Sequence, residues 1–101
     1  MVIVSKATLK EFYTKHSEAY SALLYWYNIT VSADWKDFHE MKNSFNSVDA
    51  VGNNRYVFDI KGNSYRLVAL IIFKVRTVFI LFIGTHAEYD KIDASRVEFK
   101  K

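Results

Sequence analysis

The sequence predicts an α+β fold: a helical first half packed on a mainly antiparallel sheet, closed by a short C-terminal helix. Three observations carry this. Apolar residues up to Phe45 recur at i, i+3, i+4, i+7, the spacing of one helix face. From Ser47 onward they alternate with period two, interrupted by Gly-Asn-Asn, Lys-Gly-Asn and Lys-Val-Arg turns. The last apolar run ends in Gly84-Thr85-His86-Ala87-Glu88-Tyr89, whose Thr-x-x-Glu spacing is that of a capping box.

Val2 to Val4 is β-rich and reads as a short strand. Leu9, Phe12, Tyr13 and His16 then form one face of a helix, with Ser5 or Thr8 as its cap. Tyr20, Leu23, Leu24 and Tyr27 form the face of a second helix, capped by Ser17, and the two make a hairpin. Asp37 and Glu40 repeat the capping spacing, with Phe38, Met41 and Phe45 behind them as an apolar face.

Val48 to Val51 is the next strand, and Gly52-Asn53-Asn54 is a turn that tolerates positive φ. In Arg55 to Ile60, the residues Tyr56, Phe58 and Ile60 share one face and Arg55, Val57 and Asp59 the other. Ser64 to Phe73 splits the same way: Tyr65, Leu67, Ala69 and Ile71 against Arg66, Val68, Leu70 and Ile72. Thr77 to Ile83 is apolar on both faces, as a central strand is. Hairpin-linked strands in this order make a meander of about four strands with helices on one face. Arg55, Asp59 and Arg66 would leave the other face polar and partly open.

The chain has 101 residues and reads as one domain spanning 1–101. Half of it is hydrophobic and 17% aromatic, which excludes a disordered chain. With no cysteine, disulfides and thiolate metal sites are excluded. The apolar start is too short for a signal peptide, and no uncharged run approaches a membrane span, so a soluble cytoplasmic protein is expected.

Net charge is +3, unevenly placed. Residues 1–51 carry five basic and six acidic side chains; residues 52–101 carry nine basic and five acidic. A basic half suits a polyanion such as nucleic acid, or is an ordinary solvated surface. Arg55, Lys74, Arg76 and Lys91 are its RNA-binding candidates.

The chain contains no Gly-rich phosphate loop, metal-ligand spacing or nucleophile elbow. What remains is a scattered polar set. His86 falls in the first turn of the last helix, where exposed N–H groups attract an anion, and an imidazole can carry a proton either way. Arg66, flanked by apolar residues, offers a bidentate fork to phosphate; an ion pair with Asp59 or Asp90 is the structural alternative. Lys61, in the Lys-Gly-Asn turn, can reach a phosphate, or is simply solvated. Tyr89 can bond a phosphate or stack on a base, or pack on the sheet as a rim residue.

The run from Val51 to Val68, with its Gly62-Asn63-Ser64-Tyr65-Arg66-Leu67-Val68, followed by Gly84-Thr85-His86-Ala87-Glu88-Tyr89-Asp90-Lys91-Ile92, resembles the HigB toxins of type II toxin–antitoxin systems. Ser5-Lys6 with the first helix and Ala33-Asp34-Trp35 extend the resemblance over nearly the whole chain. It implies a RelE-like fold and an mRNA interferase, an endoribonuclease that cuts messenger RNA on the translating ribosome and so inhibits translation. It also implies a helix-turn-helix, HigA-like antitoxin as partner, and no cofactor or metal. In such enzymes the ribose 2′-hydroxyl attacks the adjacent phosphate. Carried onto this chain, Arg66 and Lys61 stabilise charge, His86 is the acid or base, and Tyr89 positions the base or phosphate. The chain departs from the family at Leu81, three residues before Gly84, where members often carry a basic residue. A catalytically weak relative that still binds antitoxin and RNA is the alternative this departure implies.

Overall fold

A computed structural model describes residues 1–98. Strand β1 (Val2–Val4) leads into helix α1 (Lys6–Lys15), a 3-10 turn (Ser17–Ala19), helix α2 (Tyr20–Ser32) and helix α3 (Phe38–Ser44). Strands β2 (Asp49–Gly52), β3 (Arg55–Ile60), β4 (Tyr65–Ile72) and β5 (Thr77–Thr85) follow. Helix α4 (His86–Tyr89) and a 3-10 turn (Ala94–Arg96) end the described chain.

The sheet has five strands, in the order β1-β5-β4-β3-β2. Strands β2 to β5 form the expected antiparallel meander. The fifth member is β1, which pairs in parallel with β5, Val2 opposite Thr77. That pairing makes β5 an interior strand, which explains its double-sided apolar sequence.

The helices bury one face of this sheet. Leu23, Trp26, Met41, Phe58, Leu67, Ile71, Val78 and Ile80 form the core, each at most 3% exposed. Phe58 meets the edges of both Trp26 and Phe45, with ring centres 5.4 and 5.3 Å away. Removing any one of these large side chains from water is worth about 1.5–3 kcal/mol.

Local expectations fare unevenly. At α3, Asp37 accepts a hydrogen bond from the Glu40 N–H (2.9 Å), while the Glu40 carboxylate turns back to the Lys36 N–H (2.7 Å). Neither α1 nor α2 has a side-chain cap. Ser5 stands in the left-handed region, and the 3-10 turn carries Ser17 straight into α2, so no cap position opens there. Helix α2 also faces differently: Leu23, Trp26 and Thr30 are buried, and Tyr20 and Leu24 lie on the outside. Its sequence is apolar around much of its circumference, so spacing alone does not single out the buried stripe.

The far face of the sheet is not the open polar surface the alternation suggests. Val57, Val68, Leu81 and Ala94 form a second apolar cluster, closed by Tyr89, Ile92 and Val97 from the C-terminal segment. Leu81 belongs to this cluster and is buried. Polar groups persist mainly at one end, where β4 starts and β5 finishes.

Candidate active site

That end is built by register. Asp59 on β3 stands opposite Arg66 on β4, and Arg66 stands opposite Gly84 on β5. A side chain at Gly84 would collide with the Phe82 ring, since an added Cβ would lie 2.5 Å from it. Tyr65 pairs with Thr85, the N-cap of α4. The Thr85 hydroxyl accepts from the Glu88 N–H (3.2 Å) and the Glu88 carboxylate from the Thr85 N–H (2.8 Å), so the capping box read from the sequence is complete. It fixes the direction in which His86 and Tyr89 leave the strand. The His86 N–H also binds the Ser64 carbonyl across the strand end (3.3 Å).

Arg66 lies with its side chain 13% exposed and its Nε 3.2 Å from the Asp59 carboxylate. One N–H of each terminal nitrogen is taken internally, by the Tyr65 carbonyl (3.4 Å) and the Asn63 side-chain oxygen (3.2 Å). A guanidinium has five N–H donors. Among the described residues, each terminal nitrogen therefore keeps a second N–H that an outside acceptor such as phosphate could take. The central carbon of the guanidinium lies over the Tyr89 ring, 5.9 Å from its centre, at the outer reach of a cation–π contact. Burial pushes the Tyr89 phenol up from its ordinary pKa, which the Arg66 charge partly opposes. Tyr89 is therefore a neutral hydrogen-bond donor through the neutral pH range.

His86 is half exposed and its Nδ1 lies 3.1 Å from Asp90, one turn on. The Asp90 carboxylate thus engages Nδ1 and holds the ring orientation, leaving Nε2 as the ring nitrogen without a partner among the described residues. Lys61 occupies the β3–β4 turn with positive φ beside Gly62, and it is exposed. Its charge bears on Glu18, on the helix side of the sheet.

The structure thus brings Arg66 and Tyr89 together, sets His86 in the same capped turn, and leaves Lys61 at the neighbouring turn. Of the proposed RNA-binding residues, Lys91 lies beside them and Arg55, Lys74 and Arg76 do not join them. Lys91 follows α4 directly. Arg55 gives its guanidinium to the Val97 carbonyl (2.8 and 3.2 Å) and to the Asn53 carbonyl. Arg76 pairs with Asp34 (2.7 Å). Lys74 and Arg76 lie beyond the far end of β4, about 20 Å from Arg66 at strand spacing. Asp59, Asn63 and Asp90 complete the site from sequence neighbours of the expected residues, through period-two pairing and an i, i+4 contact. Among the described residues, no three His, Cys, Asp or Glu side chains converge as metal ligands, and no helix is long and apolar enough to cross a membrane.

Comparison with known proteins identifies the family. A family profile described as HigB_toxin, the RelE-like toxic component of a toxin-antitoxin system, matches residues 19–92. The mRNA interferase HigB of Escherichia coli O6:H1 (strain CFT073) is 35% identical over 94 residues, covering 91% of each chain. The mRNA interferase toxin HigB of Escherichia coli K12 is 28% identical over 92 residues, covering 89% of this chain and 88% of its own. The HigB of Shigella flexneri matches to the same extent. With a profile covering most of its length and a relative this similar along nearly all of it, the chain belongs to the HigB family of RelE-like toxins.

Proposed function

We propose that this toxin is an endoribonuclease that cuts messenger RNA on the translating ribosome, by attack of a ribose 2′-hydroxyl on the adjacent phosphate without a metal. The relatives' mRNA interferase activity supports the reaction class. The observation that carries the reading is the guanidinium of Arg66, which keeps a further donor on each terminal nitrogen, lies within cation–π distance of Tyr89 and sits beside the turn that bears His86.

The chemistry uses groups of this chain. As the 2′-oxygen bonds to phosphorus, negative charge builds on the non-bridging oxygens. Arg66 meets it with two charge-assisted hydrogen bonds. Tyr89 donates a neutral phenol to the same phosphate or to the flanking base. His86, with Nδ1 held by Asp90, takes or supplies a proton through Nε2. Lys61 lies at the edge, where it attracts the RNA backbone. The products are a 2′,3′-cyclic phosphate and a free 5′-hydroxyl. A helix-turn-helix antitoxin of the HigA kind neutralises the toxin, and both act in the cytoplasm.

The test is brief induction of the toxin followed by primer-extension mapping of cellular transcripts. Wild type is expected to arrest growth and leave new 5′ ends within coding regions. His86→Ala and Arg66→Ala are expected to abolish both while remaining folded. A harmless wild type that leaves transcripts intact refutes the nuclease reading. That outcome would favour a binding module, the reading to which Leu81 points: the position carries an apolar side chain packed among Val57, Val68 and Ala94.

A further inference from the structure

A hollow of about 500 Å³ opens beside the β3–β4 turn, between α2, the end of α3 with the segment after it, and the end of β3. Its floor is apolar, made by Trp26, Phe45 and Ile60, of which Trp26 and Ile60 are almost fully buried. Its rim is polar. Asn43, Asn46, Ser47, Tyr25 and Lys61 line the mouth, and all five are exposed. Among the described residues, none of these five side chains makes a hydrogen bond or an ion pair, so their polar groups are open to a ligand.

The hollow adjoins the cleavage site through two shared residues. Asp59 lines it and also holds the Arg66 Nε (3.2 Å). Lys61 lines it from the turn where, in the reaction above, it attracts the RNA backbone.

The walls decide what fits. The Asp59 charge is met by Arg66, which leaves Lys61 as the uncompensated charge at the mouth and favours an anionic group there. The amides and hydroxyls supply donors and acceptors without charge. The floor takes an apolar face. A ligand with a flat apolar face, a neutral edge of donors and acceptors, and a phosphate to one side is a nucleotide. Asparagine amides pair with base edges, and an exposed aromatic ring is a surface on which an unpaired base can stack. Tyr25 offers such a ring, 65% exposed. The volume lies within the range of about 300–1,000 Å³ found for small-molecule sites.

We propose that this hollow receives the base of a messenger nucleotide next to the one that is cut, and so sets a base preference beside the cleavage point. This rests on the cleavage reaction proposed above. Arg66 holds the scissile phosphate, Lys61 meets the neighbouring backbone, and the base attached there turns onto Trp26, Phe45 and Ile60 with its edge toward Asn43 and Asn46.

The test uses the full-length toxin on ribosomes programmed with messages that differ at one base, each position around the cut being varied in turn. Single-turnover rates give the preference, and a thermal melt checks each variant. Wild type is expected to favour one base at one neighbouring position. Asn43→Ala and Asn46→Ala, at exposed side chains, should each reduce that preference by about 3- to 10-fold, the scale of one lost hydrogen bond, and melt as wild type does. Ser47→Trp, which crowds the mouth, should erase it. An abasic nucleotide at the same position should slow wild type and bring it level with all three variants. Wild-type preference retained in all three variants overturns the proposal, as does a wild type that shows no preference beside the cut. Slowing that is equal on every message and persists on the abasic one overturns it too, because it marks a structural effect. Variants that instead lose affinity for ribosomes carrying no message assign the hollow to ribosomal RNA, which also overturns it. His86→Ala and Arg66→Ala report on the reaction separately. If they cut normally, or if wild type cuts nothing, the cleavage reading fails and the base site falls with it. If they are slow while the hollow variants keep the wild-type preference, only the base site falls.

Discussion

In the proposed reaction Arg66 is both a brace and a reagent, and replacing it separates the two. In Arg66→Ala the Asp59 carboxylate loses its cation, and Tyr89 loses the cation over its ring. An unpaired buried charged partner costs about 1–3 kcal/mol, and the lower end applies because Asp59 is a third exposed and screened by water. For a domain of this size, each kcal/mol lowers the melting temperature by about 4–8 °C. The effect on cleavage is expected to be much larger. Losing one oriented donor to a developing oxyanion costs roughly 100- to 1,000-fold, and Arg66 has two to offer along with its charge. Arg66→Ala should therefore cut at least about 1,000-fold more slowly while melting only a few degrees lower. Arg66→Lys restores charge without the fork and should recover little. The assay pairs a thermal melt with single-turnover cleavage on programmed ribosomes. An Arg66→Ala protein that melts several degrees lower yet cuts at the wild-type rate would show that the guanidinium only braces Asp59, and the charge-stabilising role would be refuted.

Three further outcomes are expected. Thr85→Ala removes the acceptor for the Glu88 N–H and should cost about 1 kcal/mol in a denaturant titration, with a fall in cleavage as His86 loses its fixed direction; unchanged stability and activity would mean that the cap does not orient the turn. The Glu88 carboxylate is held low, so its contribution to the cap is present at neutral pH and is lost as pH falls through that lowered value. Protection of the Thr85 amide from hydrogen exchange, referenced to the intrinsic rate at each pH, should drop only below the ordinary carboxylate range, and a loss beginning near neutrality would contradict this. Thr30→Val should stabilise the fold by about 1 kcal/mol, because the Thr30 hydroxyl is fully buried and without a partner among the described residues. A lower melting temperature would show that the hydroxyl is satisfied after all.

What the sequence made legible was local. Alternation along Arg55–Ile60 and Tyr65–Ile72 sorted each residue to its face, because a strand's period of two leaves no freedom. The Thr85–Glu88 cap followed from spacing in the same way. Contacts across long stretches of chain were hidden. Arg55 and Arg76 looked like free cations for RNA, yet each is occupied by a group 42 residues away, Val97 and Asp34. The second apolar cluster needed the C-terminal segment to fold back over Val57 and Val68, which no local pattern announces. His16 looked like the end of a helix face. Its place edge-on to Tyr65 depends on where α1 meets the sheet, which spacing does not give.

Val2 lies against Thr77, so the first strand to leave the ribosome must wait for the last one before it can dock. Contacts between such distant stretches slow folding, since a large loop must close before the pairing repays its entropy. While translation is under way, the nascent polypeptide lacks both the strand that completes the sheet and the capped turn beside it. The complete sheet, and the site at its end, are thus assembled only as synthesis of the strand that bears them is finished.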